Sequence, residues 1–454
     1  MIKIDKIQLH NFRFFIDEEE HNSFELDGQN MLVYGENGSG KSSLYKAFEL
    51  LAKPIVSDEE FEKSVNIFKQ DDSYLEFEFD NNETLRIDSD HLSLEDDYPF
   101  VEKLSITKPI LDYKHLLNVS YSQNSQREEK NLFAFFKKIL EEYPIGENEK
   151  KLKDLEDEEH FEHFERIIQE ELFDDINLFL EKFQQNFKIT SISLSVFGKA
   201  YLQIEYFNKD ISDYRFHLFL NEARLSALAI SVYFAIIKKQ FTLLGENSLK
   251  VLVLDDLLIS LDMNNRLNLI DILKSEFSDF QIFFFTHDKG FFEILKEKMS
   301  WKSYELYVDN EGEFEKPYIK KSLNYFESAK KHFDEYDYPA CANYLRKEVE
   351  RLKKIKEKQE MSINQDEKIF KKIKKMLLSP DFMSDSDRVK SKLIGFKKGL
   401  EEQSDSNVEI DLKDIKSITD RILNPQSHDD TSKPLYKKEL EEAIEIIGRV
   451  RENI

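Results

Sequence analysis

Cysteine is nearly absent from this 454-residue sequence. Cys341 stands alone, which excludes an internal disulfide and a cysteine-cluster metal site and fits a reducing compartment. Positive charge is in deficit too. With 65 Lys and Arg against 90 Asp and Glu the formal net charge is −25, so a polyanion is repelled wherever cations are not locally concentrated. No apolar run is long enough to span a bilayer, and the opening MIKIDKIQLHNFRFF mixes charged with apolar residues where a signal peptide needs a continuous apolar block. The expectation is a cytoplasmic protein with no membrane contact. Repeats at solenoid periods and low-complexity tracts are also missing. What is present is 40% apolar and 13% aromatic content, enough for one large core and a smaller one, hence two domains.

Residues 2–9 alternate apolar and polar as a half-buried strand does, and Met31 to Tyr34 is a short apolar run that leads into glycines. Ser43 to Ala52 then has helical apolar spacing, ended by Pro54. The order is strand, glycine loop, helix. Further strands are predicted near 74–80, 84–88, 189–207, 250–255 and 281–285, with a helix over about 223–240. Between them, 125–187 reads as charged amphipathic helices, an inserted helical arm suited to a lid or an assembly surface. From about Lys321 onward the pattern is helical and rich in Lys and Glu. This gives an α/β head over 1–320, carrying the arm at about 125–187, and an all-α domain over 321–454.

Gly35-Glu36-Asn37-Gly38-Ser39-Gly40-Lys41-Ser42 matches the P-loop pattern, in which glycines let the backbone wrap so that N–H groups and a helix N-terminus point at phosphate oxygens. Asn37, Gly38, Ser39, Gly40, Lys41, Ser42 and Ser43 are the candidate phosphate-holding residues. Lys41 would neutralise the β- and γ-phosphates of ATP, and Ser42 would ligate Mg²⁺. An ordinary glycine turn is the bland alternative; the preceding strand and following helix argue against it. Val251 to Asp256 (VLVLDD) is a buried strand whose terminal carboxylates would emerge beside the phosphates. Asp255 would hold Mg²⁺ through water, and Asp256 would act as general base, slowly, because aspartate reaches less far than glutamate. Taken by itself, the pair could be no more than an Asp-Asp turn after a core strand.

In this order the motifs resemble the RecF, SMC and ABC ATPase superfamily. Asn11-Phe12-Arg13 is similar to the opening those proteins share, Ser260-Leu261-Asp262 to the D-loop after their Walker B strand, and His287 in Phe285-Thr286-His287-Asp288 to the switch histidine that senses the γ-phosphate. Leu220-Asn221-Glu222-Ala223-Arg224 lies where the family carries its glycine-containing signature but lacks the glycines. Asn221 and Glu222 would face a partner's nucleotide there, or Asn221 is only a helix cap. Pro109 to Leu117 occupies the Q-loop-like position, with Gln123 as a weak candidate residue. The resemblance spans about 1–310. It implies ATP and Mg²⁺ as cofactors and two heads sandwiching nucleotide, so a homodimer or higher oligomer.

In the all-α domain, Arg346 and Glu350 stand four apart on one helix, and Arg421 precedes His428 by six intervening residues. Arg421 and His428 resemble the Arg/His motif of HEPN ribonucleases, and Arg346, Glu350 and His428 resemble the Arg, Glu and His of the ATPase-linked anticodon nucleases; a base and cations there would act on RNA without metal. An intrahelical ion pair and a solvent-facing histidine explain the same residues. The lysine-rich stretch 346–375 could track a phosphate backbone or be a solvated face. Head and tail together resemble ATPases of bacterial antiphage defence, the Septu ATPase subunits and the HEPN-tailed anticodon-nuclease ATPases. That likeness implies a nucleotide-gated sensor and scaffold controlling a nuclease, either an HNH-like partner or the chain's own tail acting on RNA. A RecF-like DNA-repair ATPase with a DNA target is the alternative, disfavoured by the acidic balance, and a clamp that binds ATP without turnover is a third.

Overall fold

In the computed structural model the described residues are 2–16, 22–95, 97–112, 140–141, 143–145, 150–194, 200–212, 220–243, 249–257, 261–355 and 437–453. They divide into two compact units, Met1–Ser322 and Leu323–Ile454.

The first unit opens with β1 (Ile4–His10), β2 (Asn22–Glu25), β3 (Met31–Gly35), α1 (Lys41–Leu51), α2 (Asp58–Glu62), β4 (Tyr74–Phe79), β5 (Thr84–Ile87), α3 (Pro99–Thr107) and β6 (Ile110–Asp112). Two two-residue strands follow, β7 (Pro144–Ile145) and β8 (Lys150–Lys151). The chain then runs through α4 (Asp157–Arg166), a π-helical turn (Ile167–Leu172), α5 (Phe173–Lys182), β9 (Phe187–Leu194), β10 (Ala200–Tyr206), β11 (Lys209–Ser212) and α6 (Glu222–Leu243). It closes with β12 (Val251–Asp255), α7 (Met263–Glu276), β13 (Gln281–Thr286), α8 (Lys289–Lys298), β14 (Lys302–Asp309) and β15 (Lys316–Lys321).

A six-stranded mixed sheet ordered β15-β14-β3-β13-β12-β6 is the frame. Its middle strands are parallel and covered on both faces, which is why VLVLD and QIFFFT are buried at every position. Successive side chains go to opposite faces. Leu32, Leu252, Leu254, Ile282 and Phe284 join one core with α6, α7 and the segment 140–183. Met31, Val33, Val251, Val253, Phe283 and Phe285 join a second core with α1, α3 and the antiparallel sheet β2-β1-β4-β5. Helix α6 is buried continuously over 225–237, as a helix apolar all round must be.

The buried side chain of Gln281 ties the two sheets together. It accepts from the Ile4 N–H at 2.8 Å and donates to the carbonyls of Ile4 at 2.8 Å and Gln29 at 2.9 Å. All its polar groups are thereby satisfied away from water.

Two expectations change. The stretch 125–187 was expected to form an arm, but its described part is a wall of the head's core. Leu152, Phe164, Ile167, Leu172, Ile176, Phe179 and Phe183 pack in the same cluster as α6, because their apolar stripe needs a partner and α6 supplies one. Residues 113–139 lie outside the described set. Strands β14 and β15, over 302–321, are not among the strands expected from the sequence. Glu305 lies buried in β14, because Lys289, Tyr307 and Ser322 all donate to it.

The second unit, described by itself, contains α9 (Tyr325–Asp334), helical residues 338–355 (α10) and α11 (Lys437–Asn453). Phe326, Ala329, Cys341, Leu345, Val349, Leu440, Ala443 and Ile447 share its core. Among the described residues no helix is long and apolar enough to cross a membrane.

Candidate functional site: a P-loop beside two strand-end carboxylates

Strand β3 delivers the chain to Gly35, where a side chain would displace its neighbours. A Cβ there would sit 2.4 Å from Ser39 Oγ and 2.9 Å from Lys41 Cγ. Gly38 and Gly40 have φ of +84° and +107°, values that L side chains rarely adopt, and a Cβ on Gly38 would meet nothing within 4 Å. The loop therefore curls tightly and leaves open space at its crest. Gly40 is also the N-cap of α1; no side chain caps that end and no acidic residue occupies its first turn, an arrangement that favours an anion there.

Lys41 is buried and donates to the carbonyls of Gly35 at 2.5 Å and Glu36 at 3.2 Å. Burial holds its ammonium pKa below the usual lysine value, and the nearby Asp256 and Asp255 charges oppose that shift. Ser39 is fully buried and its hydroxyl oxygen has no hydrogen-bond partner. An orphaned hydroxyl, an open crest and an uncapped helix start fit a bound phosphate chain. Ser43 is buried and its Oγ accepts the Phe14 N–H at 3.3 Å. Ser42 is exposed on the first turn of α1.

Asp255 closes β12 and is in register with Phe285 of β13 on one side and Asp112 of β6 on the other. Asp112 is the residue the sequence reading missed. Its signal was available, because β6 and β12 both end in Leu-Asp, but a three-residue strand is too short to stand out. The Tyr45 hydroxyl is pushed up first by burial and then by Asp112, Glu49 and Asp255, among other neighbours, which places it among these carboxylates. Among the described residues no group of three or more His, Cys, Asp or Glu side chains could hold a metal ion. A Mg²⁺ held by Ser42 and Asp255 would therefore draw its remaining ligands from phosphate oxygens and water, as Mg²⁺ commonly does.

Asp256 turns out of the strand at φ +51°, a left-handed conformation uncommon for a residue with a side chain. Its N–H bonds the Phe285 carbonyl at 3.0 Å, and its Oδ1 accepts both the His287 N–H at 2.8 Å and His287 Nδ1 at 2.7 Å. The expected base and the expected switch histidine thus form one pair. The imidazole is half exposed.

The remaining candidates are helix ends. Asn221 Oδ1 accepts the Arg224 N–H at 3.0 Å, which is N-cap geometry for α6, while Arg224 donates to the Tyr206 hydroxyl at 2.7 Å. Glu222, the first residue of that helix, is exposed. Asp262 caps α7 by accepting the Asn265 N–H at 2.8 Å. In the second unit, Arg346 bonds Glu350 at 3.0 Å as an i,i+4 ion pair. Arg421, His428, Gln123 and Ser260 lie outside the described residues.

A mixed sheet with a glycine loop at the end of one parallel strand and acidic residues at the end of another is an α/β fold. The solved structures to which this chain is similar include three SMC heads. One is an SMC head bound to the C-terminal winged-helix domain of ScpA, at 12% identity and TM-score 0.45, covering 70% of this chain and 98% of that one. Another is an SMC head domain from Thermotoga maritima, at 13% identity and TM-score 0.39, covering 71% and 99%. The third, an Smc head with an extended coiled coil bound to the C-terminal domain of Pyrococcus furiosus ScpA, has 13% identity and TM-score 0.40, covering 74% and 100%. No family model and no curated protein matches the chain.

Proposed function

We propose that this chain binds ATP at residues 35–43 and hydrolyses it slowly. The observation that carries the reading is the convergence at one sheet edge of the P-loop, with its buried lysine and orphaned Ser39 hydroxyl, and the Asp255, Asp256 and His287 turn. The loop's N–H groups and Lys41 would hold the β- and γ-phosphates, and Ser42, with Asp255 through water, would hold a Mg²⁺ that would neutralise charge on the phosphate oxygens. Asp256 takes the proton of the attacking water, and its bond to His287 keeps carboxylate and imidazole in fixed relation. Asparagine or glycine could adopt this backbone turn as well, so the backbone alone does not require the charge that aspartate brings.

Lys41→Ala should abolish ATP binding measured by calorimetry, and normal affinity in that variant removes the P-loop assignment. On the motif resemblance, two copies close head to head around nucleotide, with Asn221, Glu222 and Asp262 at the partner's nucleotide. The assembly acts as a nucleotide-gated sensor and scaffold for a nuclease in antiphage defence. Cleavage of total RNA by the purified chain, compared between wild type and His428→Ala with and without ATP, decides where the nuclease lies. Cleavage lost in the variant makes the tail the effector, and no cleavage under any condition sends the search to a partner nuclease.

A further inference from the structure

The geometry points to Arg266 as a positioning residue that joins the segment around Asp262 to the His287–Asp256 pair; this deepens the proposed ATPase and rests on that reading. Arg266 stands on the first turn of α7, four residues after the Asp262 cap. Its Nε donates backward to the Leu261 carbonyl at 2.9 Å, while one terminal nitrogen donates to Asp288 Oδ2 at 2.7 Å. The guanidinium also lies 5.8 Å from the centroid of the Phe291 ring. One side chain therefore bonds a residue before α7 and the residue immediately after His287.

Asp288 is itself fixed on three sides. Its Oδ1 accepts the Phe291 N–H at 3.0 Å and caps α8, and its N–H donates to Thr286 Oγ1 at 3.0 Å. Thr286 and Asp288 flank His287, so the arginine grips the turn that aims the imidazole at Asp256. The far side of α7 is anchored as well: Gln185 donates to Asn265 Oδ1 at 3.0 Å, and Asn268 donates to the Phe183 carbonyl at 3.0 Å. The start of α7 and the 286–288 turn consequently move together. A planar fork can bond both partners at once, whereas a lysine offers a single point charge. In a head-to-head assembly, a second copy pressing on the Asp262 segment would act on His287 through Arg266, leaving the P-loop untouched.

The test uses the full chain in four forms: wild type, Arg266→Met, Arg266→Lys and Asp288→Asn, the last of which keeps an α8 cap should the arginine variants misfold. Turnover and ATP affinity are measured, together with ¹⁵N-histidine NMR of the nucleotide-free protein, the His287 signal being assigned by its loss in His287→Asn. Arg266→Met should lower kcat about tenfold or more while ATP affinity stays within about twofold, and should shift or broaden the His287 Nδ1 signal. Arg266→Lys should lie between. An unchanged His287 signal in both Arg266→Met and Asp288→Asn overturns the proposal, as does a loss of ATP affinity as large as the loss in kcat. Should the wild type neither bind nor hydrolyse ATP, the ATPase reading fails, and the histidine signal still decides the role of Arg266.

Discussion

Asp256 in the head and Glu348 in the second unit are both carboxylates that accept more than one hydrogen bond, yet they are built on opposite terms. Glu348 is fully buried in the middle of α10. Arg351 grips both its oxygens, at 2.9 and 2.7 Å, and Arg451 of α11 adds a contact at 3.0 Å. Its acceptors are saturated by cations, and it fastens the terminal helix to α10. Asp256 instead sits on a left-handed backbone at a strand end, with a half-exposed imidazole as its side-chain partner. A saturated carboxylate on relaxed backbone is what stability selects. The carboxylate at the strand end, bonded to a half-exposed imidazole beside the glycine loop, is the one the proposed chemistry would use.

Substitutions can break that contrast. Glu348→Ala should have the largest effect on folding, about 3 kcal/mol, because two guanidinium groups lose their shared partner. Urea unfolding followed by circular dichroism would report it. The single tryptophan, Trp301, lies in the head and its fluorescence transition should stay in place. A shift of both transitions together would erase the distinction between the two units. Asp256→Asn should do the reverse: turnover falls about a hundredfold, while stability changes by less than about 0.5 kcal/mol, since asparagine tolerates the left-handed turn. Turnover equal to wild type would take Asp256 out of the role of base.

A third carboxylate, Glu305, extends the contrast to pH. Burial pushes its pKa up, but the Lys289 ammonium and the Tyr307 and Ser322 hydroxyls outweigh burial and hold it at about 2, below the ordinary glutamate value of 4.5. A depressed pKa stabilises the fold above pH 4.5 and loses that contribution as pH falls toward 2. Glu305→Gln should therefore be less stable at neutral pH and show a flatter acid limb. An acid limb parallel to wild type would mean that other carboxylates carry it. The smallest effect belongs to Arg346→Ala, whose exposed ion pair with Glu350 should contribute no more than about 0.5 kcal/mol to folding. A large loss of RNA cleavage in that variant would move Arg346 out of the structural class.

The P-loop was legible because its requirements are local. Gly35, Gly38 and Gly40 are needed by the loop's own backbone, and α1 begins at Lys41 for the same reason. VLVLD and QIFFFT were legible as buried strands because both their faces are apolar. Beyond such local signals the sequence falls silent. His287 lies 31 residues from Asp256, and only the parallel pairing of β12 with β13 brings them together. Asp112 reaches Asp255 through the edge pairing of β6, and Arg266 finds Asp288 because α7 and α8 follow neighbouring strands. The amphipathic helices over 157–182 could be read as helices from their spacing, but nothing in that spacing says which surface they cover; the buried length of α6 does. The sequence by itself determined where a tight glycine loop runs into a helix, since such a loop answers to nearest-neighbour sterics. Which acid, base and cation meet around it was decided by strand order, because such contacts depend on chain segments whose proximity no local pattern encodes.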